Sequence, residues 1–487
     1  MAFRGLGEFV VLLERQGQLK RISTPVSAEL EITEITDRVS KGPTEDNVAL
    51  LFETVKGHEL PVLTNAFGSA ERMAWALGVE DLDELNHRLS ALLDLKLPHG
   101  LGDAVSRAAD LWGALRSIGL RPKRVKNAPC QEIVHTDDAS LDTLPMLKCW
   151  PKDGGRYITL PQVITHDPAT GARNVGMYRL QQYDARTLAM HWQRHKGGAQ
   201  HERASREEKL DTIPAAVVLG GDPAQTWCAS APLPPDIDEY LLAGWLRGEP
   251  VRFTRALTQP LDVPADADIV IEGYVDLNEH RLEGPFGDHT GYYTPADYFP
   301  VFHVTAITRR RDAIYPATVV GKPPMEDYWL GKATERLFLP LMRLFQSEIV
   351  DVNMPAEGVF HNLVIVSIRK RFPGHPHKVI YGLWGLGLMM LSKAIVVVDH
   401  DVDVHDLSEV AWRVLGNVDW RRDVVVVDGP VDDLDHSSLR PAFGGKIGVD
   451  ATAKGPADGH PRGWPDEIEM IEQIKALVDR RWMEYGL

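Results

Sequence analysis

A chain of 487 residues with 44% hydrophobic and 25% charged residues has an ordinary globular composition. At roughly 150 residues per domain it is long enough for about three domains. Its formal net charge of −16 argues against phosphate-backbone binding, which needs a basic surface. The short basic runs at Arg309–Arg311 and Arg369–Arg371 border strand-like segments and read as solvated edges. The three cysteines, Cys130, Cys149 and Cys228, lie far apart with no Cys-x-x-Cys, which excludes a disulfide framework and a cysteine zinc ribbon and fits a reducing compartment.

Residues 1–122 alternate helical and strand signals and predict a small α/β unit. Leu6, Phe9, Val10, Leu12 and Leu13 recur at helical spacing in a segment whose charges make it an amphipathic helix and not a signal peptide. "ALLFETV" and "LPVLTNAF" read as short strands, and Ser69 and Asp81 are candidate caps for two further helices. Over 123–312 the pattern changes to strands and turns: "YITLPQVITHD", "RNVGMYRLQQYD" and "LAMHWQRH" form two successive hairpins, which predicts an antiparallel sheet or barrel. Residues 313–465 return to alternation, with helix "TERLFLPLMRLF", strand "NLVIVSIRK", helix "YGLWGLGLMML", strand "KAIVVVD", helix "LSEVAWRVL" and strand "DVVVVD", predicting parallel pairing. Residues 466–487 predict a terminal helix. The longest apolar run, "GLWGLGLMMLSKAIVVV", is interrupted by Lys393 and by glycines, short of the roughly 20 clean apolar residues of a membrane span. A soluble, cytoplasmic protein is the expectation.

The common nucleotide, hydrolase and zinc-protease signatures are missing. The run Asp399–Asp406, "DHDVDVHD", looks metal-like, but its physics favours a strand ending at Asp399 and a helix capped near Asp406, because alternating acids need not converge on one point. In "RNVGMYRLQQYD", Asn174 and Arg179 are five residues apart and face opposite sides of a flat strand, so they share a site only if Gly176 marks a bulge or a close approach. His195 ends the next strand beside two glycines. Glu239 follows Asp236 at the spacing of a capping box, a role that needs no metal. The segment "EGPFGDHTGYY" is more specific. Two carboxylates, Glu283 and Asp288, flank Gly284, Pro285 and Gly287, whose backbone angles are permissive or fixed. Phe286, Tyr292 and Tyr293 offer the low-polarity surroundings in which a carboxyl pKa moves toward neutrality. A surface turn and a proton-transfer site both fit these residues.

Together, "LEITEITDR", "CWP" at Cys149, "NVGMYR", "RHKGGA", "EGPFGDHTGYY" and "SKAIVVVDHDVD" resemble the UbiD family of prenylated-flavin-dependent decarboxylases over essentially the whole length, most closely its bacterial 4-hydroxy-3-polyprenylbenzoate decarboxylase branch. The resemblance implies a mixed α/β multidomain protein: an N-terminal α/β unit, a flavin-binding split β-barrel-like domain, and an α/β oligomerisation domain whose terminal helix packs on a neighbouring protomer of a dimer or hexamer. It implies prenylated FMN, supplied by a flavin prenyltransferase and held through a divalent metal, usually Mn2+, often with K+. It places Asn174, His195 and Glu239 on the metal, Val175, Gly176, Met177, Arg179, Arg194 and Lys393 with them at the cofactor, and Lys393 on its phosphate. It assigns catalysis to Arg179, Glu283 and Asp288, with Arg179 orienting an aromatic substrate carboxylate, Glu283 as its partner and Asp288 as the proton donor; His289 is left a supporting or structural role. The second acid of the loop is aspartate here where some relatives acting on cinnamic-type acids carry glutamate. Two competing readings are a metal-dependent hydrolase built on 399–406 and a non-catalytic flavin carrier.

Overall fold

The computed structural model describes residues 3–94, 123–193, 196–233 and 237–486. Arg194, His195 and Asp236 therefore lie outside the described residues. The architecture is mixed α/β throughout, as expected. The amphipathic N-terminal segment forms a helix over Leu6–Arg15, burying Leu6, Phe9, Val10 and Leu13. Strands Leu19–Ile22, Ala49–Phe52, Val62–Thr64 and Tyr315–Pro316 make a four-stranded sheet in that order, so the chain returns to its first sheet after leaving the second. Ser69 caps the helix Ala70–Leu77 by accepting from Arg72 N–H, and Asp81 accepts from Glu84 N–H at 3.0 Å.

The second sheet is seven-stranded and antiparallel. Its order runs Thr187–Ala189, Asp297–Arg309, Ile269–Glu283, Thr212–Leu219, Gln162–His166, Arg173–Gly176, with Ile133–His135 also pairing to Asp297–Arg309. Its central strands are apolar on both faces because both are covered. Along Thr212–Leu219, Ala216 and Val218 enter one core, with Trp227, Tyr240 and Leu246. Ile213, Ala215, Val217 and Leu219 enter another, with Leu188, Phe302 and Tyr315. That alternation is the period of two that a strand imposes.

The third sheet corrects the expected parallel alternation. Its order is Ile349–Asn353, Leu363–Ile368, Ala394–Asp399, Phe443–Asp450, Val424–Pro430. Only its three inner strands are parallel; both edge strands run antiparallel. The strand that upsets the reading is Phe443–Asp450, whose glycines weaken its strand signal. One of them, Gly448, leaves room for Ile380, whose Cγ2 would lie 2.6 Å from an added Cβ. The expected helix over "YGLWGLGLMML" is divided at its glycines into His375–Trp384 and a 3-10 turn at Gly387–Leu391. The terminal helix is shorter than expected, Glu472–Arg481 followed by a turn at Trp482–Tyr485, with Met483 84% exposed.

Asp268 ties these parts together. Fully buried, it accepts from the N–H groups of Leu6 at 3.1 Å, Gly221 at 2.8 Å and Ile314 at 3.2 Å, joining the first helix, the second sheet and the strand returning to the first sheet. An asparagine there turns an NH2 donor toward an N–H. Asp268→Asn is expected to lower unfolding free energy by about 1–3 kcal/mol, read by urea denaturation; an unchanged midpoint refutes this assignment.

Candidate active site

The segment "EGPFGDHTGYY" begins where the long strand Ile269–Glu283 ends, and folds into the short pair Phe286–Gly287 with Tyr293–Thr294. It is braced from beneath by residues 150–154 and by Gln181. Gly287 N–H donates to Asp153 Oδ1 at 2.8 Å, Gly154 N–H to Pro285 C=O at 2.7 Å, and Gly284 N–H to Gln181 Oε1 at 2.7 Å. Gly287 is required by the indole of Trp150: a Cβ would sit 2.2 Å from its Cδ1. The motif "CWP" is thereby part of the floor of this loop.

Arg179 reaches the loop because its strand breaks. Arg173–Gly176 ends at Gly176, and the ring of Tyr178 folds back over that glycine, whose Cβ would lie 2.2 Å from the phenol. Gly176 thus marks a close approach, made by the ring of Tyr178, while Asn174 and Arg179 go to different partners. Arg179 Nε donates to Glu283 Oε1 at 2.9 Å, Nη2 to Glu283 Oε2 at 3.3 Å, and Nη1 to Asp288 Oδ2. Its guanidinium carbon stands 4.5 Å from the Phe286 ring centroid. Glu283 is 0% and Asp288 5% exposed, so the guanidinium neutralises charges that water does not reach.

Each carboxylate has a histidine of its own. His191 Nδ1 lies 3.1 Å from Glu283 Oε2, its ring 4.1 Å from Phe299. Burial pushes the Glu283 carboxyl up, but the His191 hydrogen bond and the charge of Arg179 outweigh it and hold it below its ordinary value. Burial pushes the imidazole of His191 down. Asp288 Oδ1 accepts from His289 N–H at 2.8 Å and from its Nδ1 at 2.9 Å, while Oδ2 accepts from Thr294 Oγ1 at 3.0 Å as well as from Arg179. Burial opposes ionisation of Asp288 too, yet the His289 hydrogen bond and charge, with Arg179, hold it well below the usual carboxylate range. His289 is raised in turn: burial lowers it, and the Asp288 hydrogen bond and charge overcome that.

A second cluster forms around Asn174 and Glu239. Glu239 opens the helix Glu239–Arg247, whose cap is Asp238, accepting from Tyr240 N–H; Asp236, the other half of the expected capping box, lies outside the described residues. The Glu239 carboxylate accepts from Val175 N–H at 2.8 Å, while Arg173 donates to Asp238 at 2.9 Å. Met177 N–H donates to Ala229 C=O at 2.8 Å. Asn174 Nδ2 lies 3.4 Å from the Tyr178 hydroxyl, which accepts from Gly198 N–H at 2.9 Å. A Cβ on Gly197 would fall 1.8 Å from Asn174 Oδ1, so only glycine admits this approach. Glu239 is 8% exposed, burial pushes its carboxyl up to about 8, and among the described residues it has no ion-pair partner. A buried acid with no ion pair among the described residues suits a divalent cation.

Two sequence candidates are placed elsewhere. Lys393, just before Ala394–Asp399, donates to Asp435 Oδ1 at 2.8 Å and to Ser437 Oγ. Among the described residues, no hydrogen bond or ion pair joins it to Asn174 or Glu239. The 399–406 run does not converge: Asp399 accepts from Ala453 N–H, His405 pairs with Asp351 at 3.2 Å, and Asp406 caps the helix Leu407–Asn417. The hydrolase reading thus loses its ligand set. His191, Asp153, Thr294 and His361 were not singled out by the sequence. Of these, His191 alone had a visible signal, as the first histidine of "LAMHWQRH" beside a strand end.

Family models match three consecutive stretches: the 3-octaprenyl-4-hydroxybenzoate carboxy-lyase N-terminal domain over residues 10–92, its Rift-related domain over 123–323 and its C-terminal domain over 328–451. An uncharacterized protein of Archaeoglobus fulgidus is 51% identical over 99% of both chains, and one of Aquifex aeolicus 50% identical over 100% of this chain and 99% of its own. Among solved structures, vanillic acid decarboxylase of Sedimentibacter hydroxybenzoicus in its closed form matches with a TM-score of 0.86 at 27% identity, covering 100% of both chains. The UbiD-class enzyme HmfF of Pelotomaculum thermopropionicum, in complex with FMN, matches with a TM-score of 0.81 at 28% identity, covering 98% of this chain and 99% of its own. An evolved dimeric form of HmfF carries prenylated FMN and matches at 0.78 and 26% identity, over 97% and 98% of the two chains.

Removing Arg179 strands two buried carboxylates. Arg179→Met is expected to cost about 3–5 kcal/mol of folding stability, and adding Glu283→Gln and Asp288→Asn to recover most of it. Chemical denaturation of the two variants beside the parent decides: a single variant as stable as the parent, or a triple variant no better than the single, refutes the charge-clamp reading.

Proposed function

Because this chain belongs to the UbiD family of carboxy-lyases, we propose that it decarboxylates an aromatic carboxylic acid of the 4-hydroxybenzoate type, non-oxidatively and reversibly, with prenylated FMN as cofactor. The single observation that carries the proposal is Arg179 held between Glu283 and Asp288. Supporting it, the similar Sedimentibacter enzyme is a vanillic acid decarboxylase, and HmfF has been seen with FMN and with prenylated FMN.

Prenylated FMN, when bound, supplies the sink for the electron pair released as the carbon–carboxylate bond breaks. Everything else falls to the chain. A guanidinium has five N–H donors; three are spent on Glu283 and Asp288, so five minus three leaves two for a substrate carboxylate. Glu283, gripped by Arg179 and His191, keeps that fork in one orientation. Asp288, on the opposite side of the fork, gives a proton to the ring carbon that loses CO2. Phe286 supplies an apolar wall that keeps water from the fork.

Asn174, His195 and Glu239 would hold a divalent metal, Mn2+ in the first instance, whose charge would offset that of the cofactor phosphate; K+ would be a further ion of the site. Val175, Gly176, Met177 and Arg194 would line the cofactor. Lys393, paired with Asp435 in this structure, would offer its ammonium to the phosphate. A flavin prenyltransferase supplies the cofactor, and the exposed apolar residues of the terminal helix, Ile474 and Leu477, meet a second copy in a dimer or hexamer. No helix among the described residues is long and apolar enough to cross a membrane; the enzyme is proposed to work in the cytoplasm.

The test is coexpression with a flavin prenyltransferase, mass spectrometry of the bound cofactor, and CO2 release from 4-hydroxybenzoate, its 3-prenylated analogue, vanillate and 3,4-dihydroxybenzoate. Asp288→Asn and Glu283→Gln are expected to keep the cofactor and lower kcat by about 10²–10⁴-fold. Loaded variants with undiminished turnover, or a loaded parent that releases CO2 from none of the acids, overturn the proposal.

A further inference from the structure

Asp288 is offered as a proton donor, yet it stands as a carboxylate with both oxygens occupied by donors: His289 N–H and Nδ1 on Oδ1, Arg179 and Thr294 on Oδ2. A proton must be delivered to it before it can give one. Of its four neighbours, a backbone amide, a threonine hydroxyl and a guanidinium do not surrender protons near neutral pH. An imidazole does.

The other ring nitrogen of His289 is also engaged. His289 Nε2 lies 3.1 Å from His361 Nε2, a contact across 72 residues of sequence. Two imidazole nitrogens at that distance share one proton, so one ring donates and the other accepts. With His289 as the donor at both nitrogens, His361 is neutral and its own proton sits on Nδ1, a buried atom with no hydrogen-bond partner among the described residues. His361 is brought there by an unusual piece of chain: Val359 and Phe360 have φ of 43° and 48°, in the left-handed region that β-branched and bulky residues avoid. The same turn lays the Phe360 ring on His289, centroids 5.2 Å apart and planes 26° apart. Gly331, on the long helix Glu326–Phe345, makes space for it, since a Cβ there would lie 2.9 Å from Phe360.

The surrounding charges favour the same protonation pattern. Asp288 from its own loop, Asp327 from the long helix and Asp432 from the loop beyond Val424–Pro430 all act to keep His289 charged. On His361, burial acts first and lowers it; Asp432 opposes that, while His289 and Lys196 add to it.

We propose that His289 is the proton reservoir for Asp288, and that His361 is the positioning residue that accepts from His289 Nε2 and so aims its Nδ1–H at the carboxylate. The proposal rests on the decarboxylase reading above. The His289 Nδ1–H bond breaks and an Asp288 Oδ1–H bond forms, with the electron pair left on Nδ1; His289 is then neutral and still donates through Nε2. Asp288 passes the proton to the ring carbon and returns to a carboxylate. Water restores the imidazolium through the 17% of the His289 side chain that is exposed, which accounts for the one proton consumed for each carboxylate released as CO2.

Carbon-13 histidine NMR on the full-length, flavin-loaded protein tests the arrangement without a substrate. His289 is expected to be protonated at pH 7. His361→Phe, which removes the acceptor, is expected to lower its proton affinity at least about tenfold, one pKa unit, and His361→Gln, whose amide oxygen still accepts, to restore it. On whichever acid of the panel the parent turns over, the alkaline limb of kcat is expected to move to lower pH in His361→Phe and back in His361→Gln, with KM unmoved. A packing role alone would lower kcat at every pH and leave the limb in place. A neutral His289 at pH 7, or a titration unchanged by His361→Phe, overturns the inference. A parent that releases CO2 from no acid defeats the decarboxylase reading instead, and the NMR still decides the histidine pair.

Discussion

The ion triad of Arg179, Glu283 and Asp288 sets the constraint on which the rest of the site depends. Two acids from one turn are tolerated out of water only because a fork of fixed geometry reaches both. That fork comes from a different strand, and its approach requires three local breaks in regular structure. The strand must end at Gly176, the long strand must stop at Glu283, and the loop between the acids must be held at its base by Asp153 and Gln181. The glycines at 176 and 287 are thus not general flexibility but places where the rings of Tyr178 and Trp150 occupy the volume of a side chain.

The same few residues serve the second cluster. Arg173 and Val175 meet the start of the helix Glu239–Arg247, giving a guanidinium to Asp238 and an amide N–H to Glu239, and four residues later the chain presents Arg179 to the loop. Tyr178 sits between, its hydroxyl shared by Asn174 and the amide of Gly198. A displacement of this segment therefore moves both clusters together. A group anchored at one is placed in register with the other by covalent geometry and not by loop adjustment, which is how a scaffold enforces proximity.

Much of this was legible before the structure. The period-two and helical patterns located most elements, since both depend on burial alone, and the loop acids stood out because glycine, proline and aromatic residues surrounded them. Where the sequence misled, the cause was a choice between neighbouring groups. The spacing reads Glu239 as a capping residue; the backbone shows that Asp238 caps the helix and that the Glu239 carboxylate accepts from Val175 N–H instead. The glycine-rich strand Phe443–Asp450 has too few branched side chains to be recognised, although it separates two strands that otherwise look parallel and adjacent. His361 had no signal at all, because its importance comes from a contact made 72 residues away through a strained turn.

The two acids also differ in a way that spacing cannot show. Glu283 faces a guanidinium and an imidazole that burial pushes down, whereas Asp288 faces the guanidinium and an imidazole that burial lowers and the carboxylates of Asp288, Asp327 and Asp432 raise. On the proposed protonation pattern, one positive charge on Arg179 and one on His289 balance the two carboxylates of the loop. Moving a proton from His289 to Asp288 keeps that balance, because both members of the pair discharge together. Sending a proton from Asp288 to carbon then leaves the site one charge more negative, with His289 still neutral, and that excess favours taking a proton back from water. Glu283 has no such exchangeable partner. On the proposed roles, the asymmetry of the two histidines, more than that of the two acids, separates the carboxylate that orients from the one that delivers.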